Sequence, residues 1–205
     1  MRKFILVIFS VVFVNSIFGQ YSLGVDTVRL NAAYCKLVKE PNVPERQKAF
    51  FDAFPDTWMG YVMTYQYTLN KKSNRSLYDV AADHVDALRD KMASIPDSVY
   101  CKKIVRIALG GVWDADTPNY FKGVLKAAVK NKRDCMFRTI AQLRKGHQMQ
   151  FWQFYWSNIV RSKPLEDEFN SLKAWSEKRY PDETKVMNVA FDYFYIGIDP
   201  IYLSK

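Results

Sequence analysis

Histidine and cysteine are scarce in this 205-residue sequence, and neither occurs in a ligand or redox motif. The two histidines, His84 and His147, are 63 positions apart and show no His-Glu-x-x-His spacing, which excludes that class of zinc enzyme. The three cysteines, Cys35, Cys101 and Cys135, are widely spaced, and the absence of a Cys-x-x-Cys pair excludes zinc-ribbon and thioredoxin-like sites. We therefore expect no metal, no cofactor and no catalytic residue, and the cysteine pairing stays open.

Long hydrophobic runs are also missing. The longest, residues 4–14, is far shorter than the roughly 18–20 apolar residues that a membrane-spanning helix needs. Arg2 and Lys3 precede it, and residues 15–19 turn polar and small, which is the three-part pattern of an export signal. We expect cleavage of residues 1–19 and, because no cysteine lies at the cleavage point, a periplasmic or secreted protein without a lipid anchor.

Acidic residues are outnumbered, with 21 Asp and Glu against 30 Lys and Arg, a net charge of +9. Removal of the signal, which contains two basic residues and no acidic one, leaves +7. The basic residues are dispersed among acidic ones rather than clustered, so we expect no nucleic-acid partner. A basic protein suits an acidic partner, because complementary charge speeds association.

Strand-like alternation is almost absent, whereas apolar spacings of three and four recur from about residue 44 to 196. Capping residues and prolines punctuate this pattern. Helices are expected to begin near Pro44, Asp56, Ser76, Pro96, Thr117, Asp134, His147, Ser162 and Pro181. The sequence predicts an all-α protein, a compact multi-helix bundle of about eight or nine antiparallel helices. We expect one domain over residues 44–205, preceded by an N-terminal extension at residues 20–43.

One expected loop combines an aromatic ring with two carboxylates: Trp113, Asp114 and Asp116. Such a loop could contact a partner, a sugar or a cation, although it lacks the spacing of a calcium loop. The ordinary explanation is that its acidic residues favour the start of the next helix. As candidates for interaction we retain all three, and only Asp79 or Asp83 could pair with its carboxylates in a hydrolase.

A second candidate surface lies in the most aromatic segment, Phe151-Trp-Gln-Phe-Tyr-Trp156. On a helix Phe151 and Tyr155 share one face, while Trp152 and Trp156 share another face about 100° away. If both faces are core, the helix is surrounded on most sides, and this interpretation is favoured. Otherwise Trp152 and Trp156 form a surface for a partner.

The order of four segments resembles a set of uncharacterised exported helical proteins of Gram-negative bacteria. The segments are Phe50-Phe-Asp-Ala-Phe-Pro55, Leu77-Tyr-Asp79, Gly110-Gly-Val-Trp-Asp-Ala-Asp116 and Phe151-Trp-Gln-Phe154. The resemblance covers most of residues 44–160. It implies a place beside interbacterial toxins and, for some members, an immunity-type role; it assigns no catalytic residues.

Three classes of function remain. The favoured one is a periplasmic helical binding protein rather than an enzyme. Its narrower form is an immunity module that neutralises an acidic toxin. A cell-wall glycan hydrolase would need paired carboxylates across a cleft. A helical carrier of lipid or another small ligand would need an aromatic-lined cavity.

Overall fold

Ten α-helices and one 3-10 turn make up most of the computed structural model, which describes residues 25–67, 76–112, 117–158 and 161–196. The helices are α1 (Thr27–Lys39), α2 (Pro44–Ala53), α3 (Trp58–Tyr65), α4 (Ala81–Asp90), α5 (Asp97–Ala108), α6 (Thr117–Asn131), α7 (Arg133–Ala141), α8 (Lys145–Trp156), α9 (Lys163–Ser176) and α10 (Pro181–Ile196); the 3-10 turn, Tyr78–Val80, precedes α4. The prediction of an all-α, compact multi-helix fold is confirmed, with one helix more than expected.

The helix ends follow from the local sequence. The Asp26 carboxylate accepts the Arg29 N–H at 2.9 Å and caps α1, and the Thr57 hydroxyl accepts the Gly60 N–H at 3.1 Å and caps α3. After α5 the chain turns at Gly110, whose φ of 78° lies in the left-handed region that glycine tolerates best.

Helix α1 lies in the segment that the sequence had predicted as an N-terminal extension. Its residues Leu30 and Leu37 are fully buried, and it packs mainly on α2. These two leucines, seven positions apart, are its only fully buried side chains. Two buried leucines in thirteen residues give only a weak periodic pattern of apolar residues, which explains why the helix was not predicted.

Helix α8 occupies the centre of the fold. Its most extensive contact is with α10, and it also packs against α5 and α6. The other major helix pairs are α1 with α2, α4 with α6, and α5 with α7. Buried side chains from all these helices join one hydrophobic core.

None of the described helices is both long enough and apolar enough to cross a membrane. The segment predicted as an export signal lies within residues 1–24, outside the part of the chain that the structure describes. Export therefore stays a prediction.

Candidate functional site

Trp152 and Trp156 are both fully buried in the core. Their rings stack on each other at a centroid distance of 6.1 Å, and the Trp156 ring meets Phe169 and Phe191 edge-on at 5.6 and 5.2 Å. The core interpretation of both α8 faces is thus confirmed. The alternative prediction, that Trp152 and Trp156 contact a partner, was wrong, because a fully buried ring offers no surface to a partner.

The other three interaction candidates, Trp113, Asp114 and Asp116, lie outside the described residues. The chain on either side of them is held in place. A side chain at Gly111 would put its Cβ 2.6 Å from the ring of Phe154, so only glycine fits there. On the other side, the Tyr61 hydroxyl donates to the Thr117 carbonyl at 2.8 Å.

The Thr117 hydroxyl in turn donates to the carbonyl of Tyr65, at 3.0 Å. Two buried hydrogen bonds therefore fasten the first residue of α6 to helix α3. The candidate loop ends against α3, so α3 is the helix whose exposed surface matters most for that loop.

Helix α3 exposes apolar side chains on the face opposite its core contacts. Tyr61 and Tyr65 are fully buried, whereas Met59 and Met63 are 55% and 46% exposed. Tyr67, two residues after the helix, is 63% exposed. We call Met59, Met63 and Tyr67 the α3 patch. Methionine side chains adapt to many shapes, which suits a contact surface.

A basic cleft of about 310 Å³ opens between α6 and α9. Inside it Glu168 accepts hydrogen bonds from Lys126 at 2.6 Å and from the Tyr155 hydroxyl at 2.5 Å. Lys130 and Arg133 also line the cleft, and the Arg133 Nε is buried without a hydrogen-bond partner among the described residues. The apolar walls of the cleft come from Ala127, Val129 and Leu172. A positive cleft with apolar walls suits a small anionic ligand.

A second cleft, of about 390 Å³, lies between α2 and the start of α5. It contains two carboxylates, Glu45 and Asp52, but both project from α2 and Asp52 forms an ion pair with Lys48. Seven residues along a helix separate Glu45 and Asp52 by about 10 Å. Glycosidases need carboxylates that oppose each other across the substrate, which this cleft does not provide.

The carboxylates that the hydrolase hypothesis required are not gathered either. Asp79 and Asp83 are both exposed to solvent. Neither lines the two clefts described above. Within the described ranges no group of three or more His, Cys, Asp or Glu side chains could hold a metal ion.

Lys122 and Ser157 form the only lysine–serine contact that invites comparison with a catalytic dyad among the described residues. Both side chains are buried, and the Lys122 Nζ lies 3.3 Å from the Ser157 Oγ. The serine hydroxyl, however, donates to the Phe154 carbonyl at 2.6 Å, so it accepts from the lysine instead of giving up a proton to it. Nucleophilic attack needs the reverse arrangement. The contact is therefore structural.

His84 is a polar residue enclosed by the core. It is fully buried among the rings of Tyr34, Phe50 and Tyr65, and its Nδ1 lies 3.0 Å from the Tyr65 hydroxyl. Its Nε2 has no partner in the described part of the chain. Burial lowers the pKa of His84 from 6.5 to about 4, because a charged imidazole would lose its hydration.

Acid should therefore destabilise the fold through His84. Between pH 6.5 and 4 the unfolded chain binds a proton that the folded chain does not, so the free energy of unfolding falls by about 3 kcal/mol as the pH drops through this window. A His84→Leu variant should lack this contribution. The measurement is the difference between the unfolding free energies of the two proteins from pH 7 to 4, in which the titration of shared carboxylates cancels. A difference independent of pH would contradict a buried neutral histidine.

Comparison of the chain with protein-family models, curated proteins and solved structures finds no match. The candidate site therefore depends on the geometry alone. The geometry favours the α3 patch and the adjoining loop over the clefts, because α3 combines exposed apolar side chains with two buried hydrogen bonds to Thr117, the residue that follows the predicted loop.

Proposed function

We propose that the mature chain is an exported binding protein that recognises another protein, with an immunity-type role toward an acidic toxin. The contact surface is the α3 patch together with the loop that contains Trp113, Asp114 and Asp116. The observation that carries this proposal is the exposure of Met59 and Met63 on a helix whose other face is buried. Exposed apolar side chains that are neighbours on a helix supply the apolar centre of a protein interface.

Charge supports an acidic partner. The mature chain has a net charge of +7, and a basic surface raises the rate at which an acidic protein associates. The buried hydrogen bonds between α3 and Thr117 support a surface that is formed before binding, which reduces the entropy cost of association.

A second candidate function, a carrier of a small anionic ligand, is favoured by the basic cleft between α6 and α9. Lys130 and Arg133 stand beside apolar walls there, and neither forms an ion pair with a carboxylate of the described residues. The cleft is open to solvent rather than closed, which makes it the weaker candidate for retaining a lipid.

Substitution of the α3 patch tests the proposed function. We expect Met59→Asp with Met63→Asp to weaken binding of the partner at least 100-fold, because central apolar contacts each contribute about 2 kcal/mol and binding would bury the new carboxylates without a compensating partner. The partner tested is the product of the adjacent gene, and the measurement is its Kd together with the survival of cells that express it.

The matched control is Val189→Asp, since Val189 on α10 is 54% exposed, as much as Met59. It should change the Kd less than threefold. Equal losses in both variants would contradict the α3 patch as the contact surface. Unchanged binding after the α3 substitutions, with a loss on Lys130→Glu, would instead place the contact at the basic cleft.

A further inference from the structure

Two of the three cysteines meet in the core. Cys101 of α5 is fully buried, and Cys135 of α7 is half-buried against the same core. The Cys135 thiol lies near enough to Cys101 to contribute to a raised pKa of the Cys101 thiol. The third cysteine, Cys35 of α1, is exposed. The sequence had left the pairing open, and the fold brings one pair together.

The helices that contain these cysteines are held side by side. Helices α5 and α7 form one of the most extensive contacts in the fold. One turn before the cysteines, Lys132 forms an ion pair with Asp97 at the first residue of α5. Contacts at Asp97 with Lys132 and at Cys101 with Cys135 advance together along both helices, so α5 and α7 run in the same direction here. Both contacts therefore support the same alignment of α5 with α7, the one that places Cys101 beside Cys135.

We propose that Cys101 and Cys135 form an intramolecular disulfide in the exported protein, and that Cys35 remains a free thiol. The proposal depends on the export part of the proposed function, because a disulfide persists in an oxidising compartment and not in a reducing one. Its geometric basis, the packing of α5 against α7 and the Lys132–Asp97 ion pair one turn before the cysteines, is independent of any partner.

The oxidant is a small-molecule or protein disulfide. The thiolate of Cys135, the more accessible of the two, attacks one sulfur of the oxidant and forms a mixed disulfide, releasing the other sulfur as a thiol after protonation. The Cys101 thiol then gives up its proton to solvent, attacks the Cys135 sulfur and releases the second oxidant thiol. Two protein thiols are oxidised to one disulfide, and one oxidant disulfide is reduced to two thiols.

Burial and the neighbouring Cys135 thiol raise the pKa of the Cys101 thiol. Few Cys101 thiols are therefore ionised at neutral pH, and the second step is the slow one. In the folded protein we expect oxidation over hours, whereas oxidation during folding, before Cys101 is buried, avoids this barrier.

The disulfide would enclose α6, together with the loop that contains Trp113, Asp114 and Asp116. Closing this loop of 34 residues restricts the unfolded chain and so favours the folded one. The same covalent link would keep the start of α6, and with it the attachment of Thr117 to α3, in place. The proposed contact surface would therefore become more rigid, although neither cysteine belongs to it.

The experiment counts thiols in the full chain isolated from the cell envelope, after alkylation in denaturant. Trypsin cuts beside lysine and arginine and so leaves the three cysteines on separate peptides, residues 30–36, 92–102 and 134–138. We expect an alkylated peptide 30–36 and a linked pair of peptides 92–102 and 134–138. The oxidised protein should unfold at a temperature roughly 8–15 °C higher than the reduced one.

A second arm separates failure of the disulfide from failure of export. Reduced full-length protein, purified from cytoplasm, is incubated with oxidised glutathione; it should form the same linked pair even if the chain is never exported. Cys35→Ser should leave the linked pair and the shift in unfolding temperature unchanged, whereas Cys135→Ser should abolish both. Three alkylated cysteines after this treatment, or a link that includes Cys35, would overturn the proposal.

Discussion

Replacing Trp156 by alanine is expected to lower the free energy of unfolding by about 3–5 kcal/mol, because the substitution removes a large core ring and leaves a cavity. Trp156 is fully buried and contacts rings of α9 and α10 as well as Trp152 on its own helix. The measurement is urea unfolding followed by far-ultraviolet circular dichroism, which does not depend on the deleted fluorophore.

The control for Trp156→Ala is Met63→Ala in the α3 patch. Met63 is 46% exposed, so its truncation should change the free energy of unfolding by no more than about 0.5 kcal/mol. The pair distinguishes a core position from an interaction position. A loss below about 1 kcal/mol for Trp156→Ala would be incompatible with its central place between α9 and α10.

Lys122→Met is expected to stabilise the protein by about 3 kcal/mol at pH 7. Lys122 is buried, and burial lowers its pKa from 10.5 to about 8. The nearby charge of Lys126 contributes to this lowered pKa, and Glu168 only partly offsets it. At pH 7 the folded protein therefore bears the full cost of a buried charge, which methionine, of similar length, avoids.

The difference in stability between Lys122→Met and the wild type should depend on pH. Between pH 8 and 10.5 the folded chain releases the Lys122 proton while the unfolded chain still holds it, so the stability of the wild type rises relative to Lys122→Met. The advantage of the variant should be constant below pH 8 and disappear by about pH 10.5. An exposed lysine, Lys178, supplies the control: Lys178→Met should change stability by no more than about 0.5 kcal/mol at either pH. An advantage of Lys122→Met that does not vary with pH would contradict a buried charge.

Local signals predicted much of the helix map. The end of α5 at its two glycines and the start of α6 at Thr117 followed from residue types whose backbone preferences act within one turn. A helix was expected to begin near Ser76. The Ser76 hydroxyl does accept the Tyr78 N–H at 3.2 Å, but a 3-10 turn intervenes before α4 begins at Ala81.

Burial was harder to predict, because it depends on how many helices surround a given face. The two aromatic faces of α8 could be interpreted as core or as interface until the positions of α5, α6 and α10 were known. In α3 the apolar spacing indicates one stripe, formed by Trp58, Tyr61, Val62 and Tyr65. The spacing does not show that Met59 and Met63, on the other side, are left uncovered by the helices that the structure describes.

Pairs of residues far apart in sequence were beyond any local pattern. Lys126 and Glu168 meet in the basic cleft although 42 positions separate them. Cys101 and Cys135 meet because the helices that contain them lie side by side. Such contacts depend on tertiary packing, which periodicity along one helix does not encode.

The stacked indoles of Trp152 and Trp156 also give the protein an intrinsic optical reporter. Near-ultraviolet circular dichroism requires aromatic rings that are fixed in an asymmetric setting, whereas the far-ultraviolet signal requires only helices. With 18° between their ring planes and several further rings in edge-on contact, these indoles are the chromophores whose signal depends most directly on tight packing. A state that kept its helices but loosened its centre would therefore be visible as the loss of one spectrum and the survival of the other.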